Sequence, residues 1–331
     1  MARIAVMTPF RLTAPAATST VFPHVPPTVS PHMLTIATLW IPFTIIAALG
    51  QVARNAMQRQ LTGPLGTWGA TNIRFLFGFP FSLVFFAIVI AATGDAVPWP
   101  PASFWPWLLL GALSQILATA LMLLAMNDRS FVVTTAYIKT EAIQTAIFGF
   151  VFLGDHLTML KVIAIVIATI GVVITALRPG AEKNFAEWKP TMIGLVAAAA
   201  FALSAVGFRG AVIVVPGVSF VTAATYTLVC GLFVQTLVLT IYLLVRAPDV
   251  LRKILGLWKP SMLAGFMGAF ASQFWFLAFA LTAAANVRTL ALVEVLFAQA
   301  VAYYSFKQAM SAREFAGIAL IVVGVAMLVA V

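Results

Sequence analysis

Apolar residues run along this chain in long unbroken stretches, separated by short connections rich in glycine and proline. A helix needs about 20 apolar residues to cross a hydrocarbon core of ~30 Å. Stretches of that kind lie at 34–56, 67–93, 104–127, 131–153, 158–177, 190–212, 219–246, 261–282, 285–306 and 312–331. They predict ten membrane-spanning helices, and with them an all-α integral membrane protein. The runs are continuous rather than alternating, which excludes a transmembrane β-barrel. Breakers mark the connections: "TGPLG" at 62–66, "GDAVPWPPAS" at 94–103, "RPGAEKNFAEWKP" at 178–190 and "APDVLRKILGLWKP" at 247–260. Trp99, Trp105, Trp107, Trp188 and Trp258 fall at or near span ends, where an amphipathic ring prefers the membrane interface.

The long polar connection at 178–190 divides the ten stretches into five and five, which invites a search for a repeat. At an offset of 153, Gly78 meets Gly231, Ala125 meets Ala278, Thr158 meets Ser311 and Gly171 meets Gly324. Small residues match easily by chance in such runs. Glu141 also meets Glu294, and acidic residues are rare here, nine Asp and Glu in 331 residues. Two consecutive copies of an odd number of spans insert with opposite orientation. That is the inverted-repeat architecture of secondary transporters, with the substrate site between the repeats near the midplane. The expected organisation is a disordered N-terminal tail at 1–32, a first five-span repeat at 33–178, a connecting loop at 179–189 and a second repeat at 190–331. The tail holds six prolines and no packing face. The alternative is that Met33 is the true start of the chain.

Composition agrees with this picture. Hydrophobic residues make up 63% of the chain and charged residues 8%, against about 25% charged in a soluble domain. The formal net charge of +10 would suggest nucleic acid in a soluble protein. Here the basic residues fall mostly in connections, as topology signals do, so nucleic-acid binding is not expected. Twelve Lys and Arg, Arg54 among them, lie in connections after odd-numbered spans and four on the other side. That bias places both termini outside the cytoplasm. Cys230 is the single cysteine, and His24, His32 and His156 lie outside the spans. An intrachain disulfide is impossible, and neither a metal site nor a cofactor is expected.

Several stretches resemble the EamA-type branch of the drug/metabolite transporter superfamily, over about residues 34 to 331. Each half ends in a glycine-bearing helix such as "IATIGVVIT". The turn in "FLGDHLTMLKVIAIVIATIGVVI" at 152–174 resembles the Leu-Gly-Glu that commonly precedes the last helix of a half. The arginine of "TNIRFLFGFPF" at 71–81 matches a frequent arginine of the second span. Asp155 stands in place of the usual glutamate, and "SFKQAMS" carries Lys307 and Gln308 where a Gly-acid pair is expected. The resemblance implies a ten-span carrier, with export favoured over import. It also implies cytoplasmic termini, against the charge bias, and the orientation stays open between the two.

Charges inside spans are the candidate chemistry. A carboxylate or amine at mid-membrane is costly unless paired or wetted, and such groups usually face a cavity. Glu141 and Glu294 lie near the middle of spans 4 and 9, and are candidates to bind a proton or a cationic group of the substrate. Locking two helices by ion pairs is the plainer role. Lys139 sits about 200° around a helix from Glu141, so it must point to another span or reach along a cavity wall. The repeat sets Leu292 opposite it, so Lys139 breaks the symmetry and marks the negative end of a cargo. Arg288 is placed either to bind substrate or to snorkel to the interface, and Arg74 either to anchor or to contact substrate. Tyr137, Gln144 and Thr145 share the Glu141 face by spacing. Gln115 and Gln273 line a route or bond between helices. Trp275 stacks on an organic solute or packs.

The reading from sequence is a secondary active transporter, an exporter of a small polar metabolite such as an amino acid. It works by alternating access around spans 4 and 9, with protons as a possible second partner. An uncoupled carrier or channel is the alternative, and a membrane-embedded enzyme ranks below both. No Gly-rich phosphate loop with Lys-Ser/Thr is present, and no catalytic constellation is visible, so the chain is not expected to be an enzyme. The expected setting is the lipid of a bacterial inner membrane, crossed several times, as monomer or dimer.

Overall fold

Gly66 adopts a left-handed φ of 67° with ψ 174°, a conformation open to glycine because it lacks a Cβ. In the computed structural model it bends a long helical run that the sequence divides in two. The structure describes residues 36, 38–126, 137–176, 188–297 and 311–330, and the elements below lie in one compact unit, Ala37–Val331. They are α1 (Trp40–Leu76, bent at Gly66), α2 (Gly78–Thr93), α3 (Phe104–Met126), α4 (Glu141–Phe148), a π turn (Gly149–Leu153), α5 (Met159–Ala176), α6 (Trp188–Ile213), α7 (Phe220–Arg246), α8 (Pro248–Gly256), α9 (Trp258–Leu281), α10 (Ala284–Leu290), a 3-10 turn (Ala291–Val293) and α11 (Ala312–Ala330). No strand occurs among the described residues.

Among the described residues, six helical segments are long and apolar enough to cross a membrane: Trp40–Thr93, Phe104–Ala125, Thr191–Ile213, Phe220–Arg246, Trp258–Leu281 and Ala312–Ala330. Two shorter apolar segments, Glu141–Leu153 and Met159–Thr175, join them. Their outer faces are studded with exposed side chains such as Leu160, Ile163 and Ile170 on α5 and Ile241, Leu244 and Val245 on α7. Apolar surface of that extent is stable against acyl chains and not against water. The chain is an integral, multi-pass membrane protein. The predicted tail at 1–32 falls outside the described residues.

Two differences from the expected spans matter. The stretch 131–153 is not one continuous helix where it is described. It turns at Lys139–Thr140, restarts as α4 at Glu141 and loosens into the π turn. The stretch 285–306 likewise runs as α10, then the 3-10 turn, then a helical segment from Glu294 to 297. The connection 247–260 is the second difference, because it folds into α8. Pro248 pre-sets the first turn, Asp249 favours the positive helix start, and Ile254 is buried while Arg252 and Asp249 stay exposed.

Packing follows a regular scheme. α3 lies along α6, α1 along α9, α5 along α11 and α2 along α7. Close approach depends on small residues, as is usual in membranes. A Cβ on Gly207 of α6 would stand 2.5 Å from the Gly111 nitrogen of α3. One core collects Phe104, Leu108, Phe208, Leu228, Phe276 and Phe279, from α3, α6, α7 and α9. A second collects Ala142, Ile165, Val172, Leu290 and Ile321, from α4, α5, α10 and α11.

The start of α7 is held from outside the spans. Ser219 is the N-cap and accepts from the Thr222 N–H at 3.3 Å. The Asp95 carboxylate, in the connection after α2, accepts from the Ser219 hydroxyl at 2.6 Å, the Ser219 N–H at 3.0 Å and the Thr222 hydroxyl at 2.6 Å. The Ser219 hydroxyl first, then Thr222 and the Ser219 N–H, stabilise the charged form and hold the Asp95 pKa down to about 2 from 3.8.

Candidate functional site

The two interrupted segments carry the charges. At the first, the Thr140 hydroxyl donates to the Tyr137 carbonyl at 2.7 Å, a local bond that competes with helix continuation. At the second, α10 tightens before Glu294. α4 packs against α10, and two ion pairs bridge the interruptions in crossed fashion. The Lys139 amine pairs with the Glu294 carboxylate, and the Arg288 guanidinium pairs with Glu141 at 3.6 Å. Gln51 of α1 adds a long contact of 3.5 Å to the other oxygen of Glu294. All four charged groups are at most one-fifth exposed, so each depends on its partner for a counter-charge.

Arg288 has a second support. Its guanidinium lies 4.7 Å from the Trp275 ring centroid and 5.5 Å from that of Phe279, and the two rings stack at 6.3 Å. The quadrupole of each face attracts the cation. At 3.6 Å the contact with Glu141 is longer than a charge-assisted hydrogen bond of about 2.7–2.9 Å. Stacking on the rings therefore holds Arg288 in place alongside its acid.

Beside the pairs lies a cavity of about 70 Å³, lined by Gln51, Arg54, Asn55, Met122, Ile138, Lys139, Glu141, Phe201 and Arg288. One water takes about 10–15 Å³ on this measure, so several waters fit, or a solute of a few heavy atoms. Gln51, Arg54 and Asn55 come from α1, Met122 from α3 and Phe201 from α6; the others belong to the interrupted segments. The cavity therefore sits where helices of the first core meet helices of the second. A larger cavity of about 370 Å³ lies between α4 and α5, lined by Ile147, Phe150, Val166 and other apolar groups, with Asp155 and His156 as its polar members. Ile147, Phe150 and Val166 are exposed, so it opens sideways toward the acyl-chain region.

Of the residues singled out from sequence, Lys139, Glu141 and Arg288 line the central cavity, Glu294 joins them through Lys139, and Trp275 underlies Arg288. The rest lie elsewhere. Arg74 is buried and donates to the Thr119 hydroxyl at 3.1 Å. Gln115 accepts from Gln235 at 2.8 Å, and Gln273 donates to Thr225 at 2.8 Å, each bond crossing between helices. Gln144 donates to Thr140 at 3.1 Å and Thr145 to the Glu141 carbonyl at 2.7 Å, so both engage their own segment. Tyr137 lies before the turn rather than on one continuous helix with Glu141.

Arg54 is the main correction. Sequence reading assigned it to a connection, and in the structure it is 1% exposed inside α1 and lines the cavity. Its Nε and Nη2 donate to the Asn55 side-chain oxygen at 3.2 and 2.7 Å, and its Nη1 has no hydrogen-bond partner. A signal was present in the sequence. Gln51, Arg54, Asn55 and Gln58 stand at i, i+3, i+4 and i+7, one face of a helix, and Gln58 is also buried, donating to the Ala70 carbonyl at 2.9 Å. Arg209 and Asp155 form a further pair at 3.3 Å, away from the cavity lining. Arg209 also donates to the Phe279 carbonyl at 2.7 Å and to the Thr282 carbonyl, and so caps the end of α9.

Among known proteins, the model of the EamA-like transporter family matches residues 38–177. A protein of known crystal structure, 14% identical, superposes with a TM-score of 0.64 over 88% of this chain and 95% of its own. At that identity the likeness shows a shared helical fold. No curated protein sequence matches the chain.

Proposed function

We propose that this chain, whose residues 38–177 match the model of the EamA-like transporter family, is a member of that family and a secondary transporter that binds a small polar solute in the central cavity. The observation that carries this reading is the crossed pair of ion bridges, Lys139 with Glu294 and Arg288 with Glu141. Each bridge joins a segment of the first half to one of the second. The charges border a cavity at two interrupted helices, the arrangement in which carriers hold substrates.

Ten spans in two inverted halves remain the proposed topology. The packing scheme supports it. A two-fold relation with the third span of one half on the first of the other yields two equivalent pairs, and α3 with α6 and α1 with α9 are such pairs. The second and fifth spans would each meet their own counterparts, as α2 meets α7 and α5 meets α11. Alternating access then consists of the halves rocking about the cavity, with the ion bridges breaking and re-forming. Export is the proposed direction. In the coupled form Glu141 or Glu294 carries a proton in exchange for its cation, and in the uncoupled form both bind and orient solute.

Counterflow in proteoliposomes tests the carrier. Vesicles loaded with a metabolite mixture should accumulate labelled solute by saturable exchange, and a panel of metabolites that shows no exchange rejects the proposal. Imposed pH gradients separate the two forms. A coupled carrier concentrates solute according to the gradient and loses that dependence in Glu294→Gln or Glu141→Gln.

A further inference from the structure

Among the described residues, the charges around the central cavity do not balance. Its lining holds three cations, Arg54, Lys139 and Arg288. Two have acids: Lys139 pairs with Glu294 and Arg288 with Glu141. Arg54 pairs with no acid among the described residues, and its partner is the neutral Asn55. Among the described residues of the lining this leaves one cation without an acid, on a side chain that is 1% exposed, and the buried Arg74, bonded to the neutral Thr119, lies beside it at Gly268. A buried guanidinium with a neutral partner is left undercompensated.

The donors are arranged as for a ligand that accepts. Asn55 takes up two donors of Arg54 through its side-chain oxygen, which leaves the Asn55 amide group to donate. Arg54 Nη1 lacks a hydrogen bond. Room for the arginine is built into the neighbouring helix, since a Cβ on Gly268 of α9 would stand 3.6 Å from the Arg54 Cδ and 3.0 Å from the Arg74 Cγ. Met122, Ile138 and Phe201 supply the apolar part of the lining.

We propose that Arg54 and Asn55 form the subsite for the carboxylate of a small singly charged organic anion, whose carbon body lies against Met122, Ile138 and Phe201. This inference rests on the transporter reading and names the substrate class for it. The unpaired donors of Arg54 meet the carboxylate oxygens, as guanidinium groups do. A carboxylate supplies the counter-charge that Arg54 lacks. Inorganic phosphate has no carbon body to lie against the apolar wall of Met122, Ile138 and Phe201, and a cation adds to the positive charge. The cavity of about 70 Å³ limits the body to a few heavy atoms.

The test is binding to the purified full-length protein in detergent, read by thermal shift and titration calorimetry. The probes are lactate, ethylammonium, glycerol and inorganic phosphate. Lactate should bind saturably and raise the melting temperature, while the other three leave it unchanged or act far more weakly. Arg54→Gln should weaken lactate binding about tenfold or more, the usual size for a lost charged hydrogen bond. Asn55→Asp gives Arg54 a fixed carboxylate, which keeps the arginine partnered in a folded protein, and it should abolish lactate binding as well. Ethylammonium, glycerol or phosphate binding as tightly as lactate overturns the subsite. So does lactate binding that both variants retain, or a panel with no binding at all. Arg54-dependent lactate binding without counterflow of any solute would reject the transporter reading and leave the subsite standing. Counterflow of cations alone would do the reverse.

Discussion

Lys139 pairs with Glu294, 155 positions away, while Glu141, two residues along its own chain, pairs with Arg288. Both bonds run between the two halves of the sequence, so the charges that look like a local cluster are the fastening between distant segments. Removing one partner leaves the other buried and uncompensated. Lys139→Met should cost about 3–5 kcal/mol, and the double variant Lys139→Met/Glu294→Met should recover most of it. Thermal unfolding of the four-member cycle checks this. Losses that simply add would show that the pair is not coupled.

Helix contact at Gly207 leaves no room for a side chain. A Cβ there meets backbone atoms of Gly111 at 2.5 and 2.8 Å, and backbone cannot yield as a flexible side chain can. Gly207→Ala should destabilise the chain by about 1–3 kcal/mol through overpacking. Gly63→Ala is the control, since a Cβ on Gly63 meets nothing within 4 Å. The two melting temperatures in detergent make the comparison.

Asp95 gives an acid-sensitive contact outside the spans. Its folded pKa of about 2 lies below the ordinary 3.8, so the charged carboxylate stabilises the folded form. That stabilisation is complete above pH 3.8 and is lost as pH falls toward 2. Asp95→Asn should lower the melting temperature by a constant amount above about pH 5. The gap from the unsubstituted protein should close between pH 4 and pH 2. A gap that widens on acidification would contradict the sign.

Arg209 caps α9 through the Phe279 and Thr282 carbonyls while it pairs with Asp155. Lysine keeps the charge and lacks the planar fork that serves several acceptors at once. Arg209→Lys should therefore lose about 1–3 kcal/mol and speed amide exchange around residues 278–283. Asp155→Asn should affect the carbonyl cap less. Equal exchange in Arg209→Lys and the unsubstituted protein would show that the cap does not depend on the fork.

Much of the class was legible without coordinates. Continuous apolar runs forced helices, because a lipid-exposed backbone must satisfy its own hydrogen bonds. Scarcity of charge marked the few that remain, and Glu141, Glu294, Lys139 and Arg288 stood out on cost alone. Gln115 and Gln273 did not separate cavity from interhelical bond in the sequence, since either environment rewards an amide.

The sequence by itself determined that this chain lives in a membrane, is helical and sets a few costly charges within its spans. Tertiary structure decided which charge meets which, because partners more than a hundred residues apart depend on which helices lie side by side. It also decided the place of Arg54. A hydropathy pattern ends a span where polarity rises, whereas α1 continues past that point with its polar face turned inward. The inward face of one bent helix is what turned an expected connection residue into a wall of the cavity.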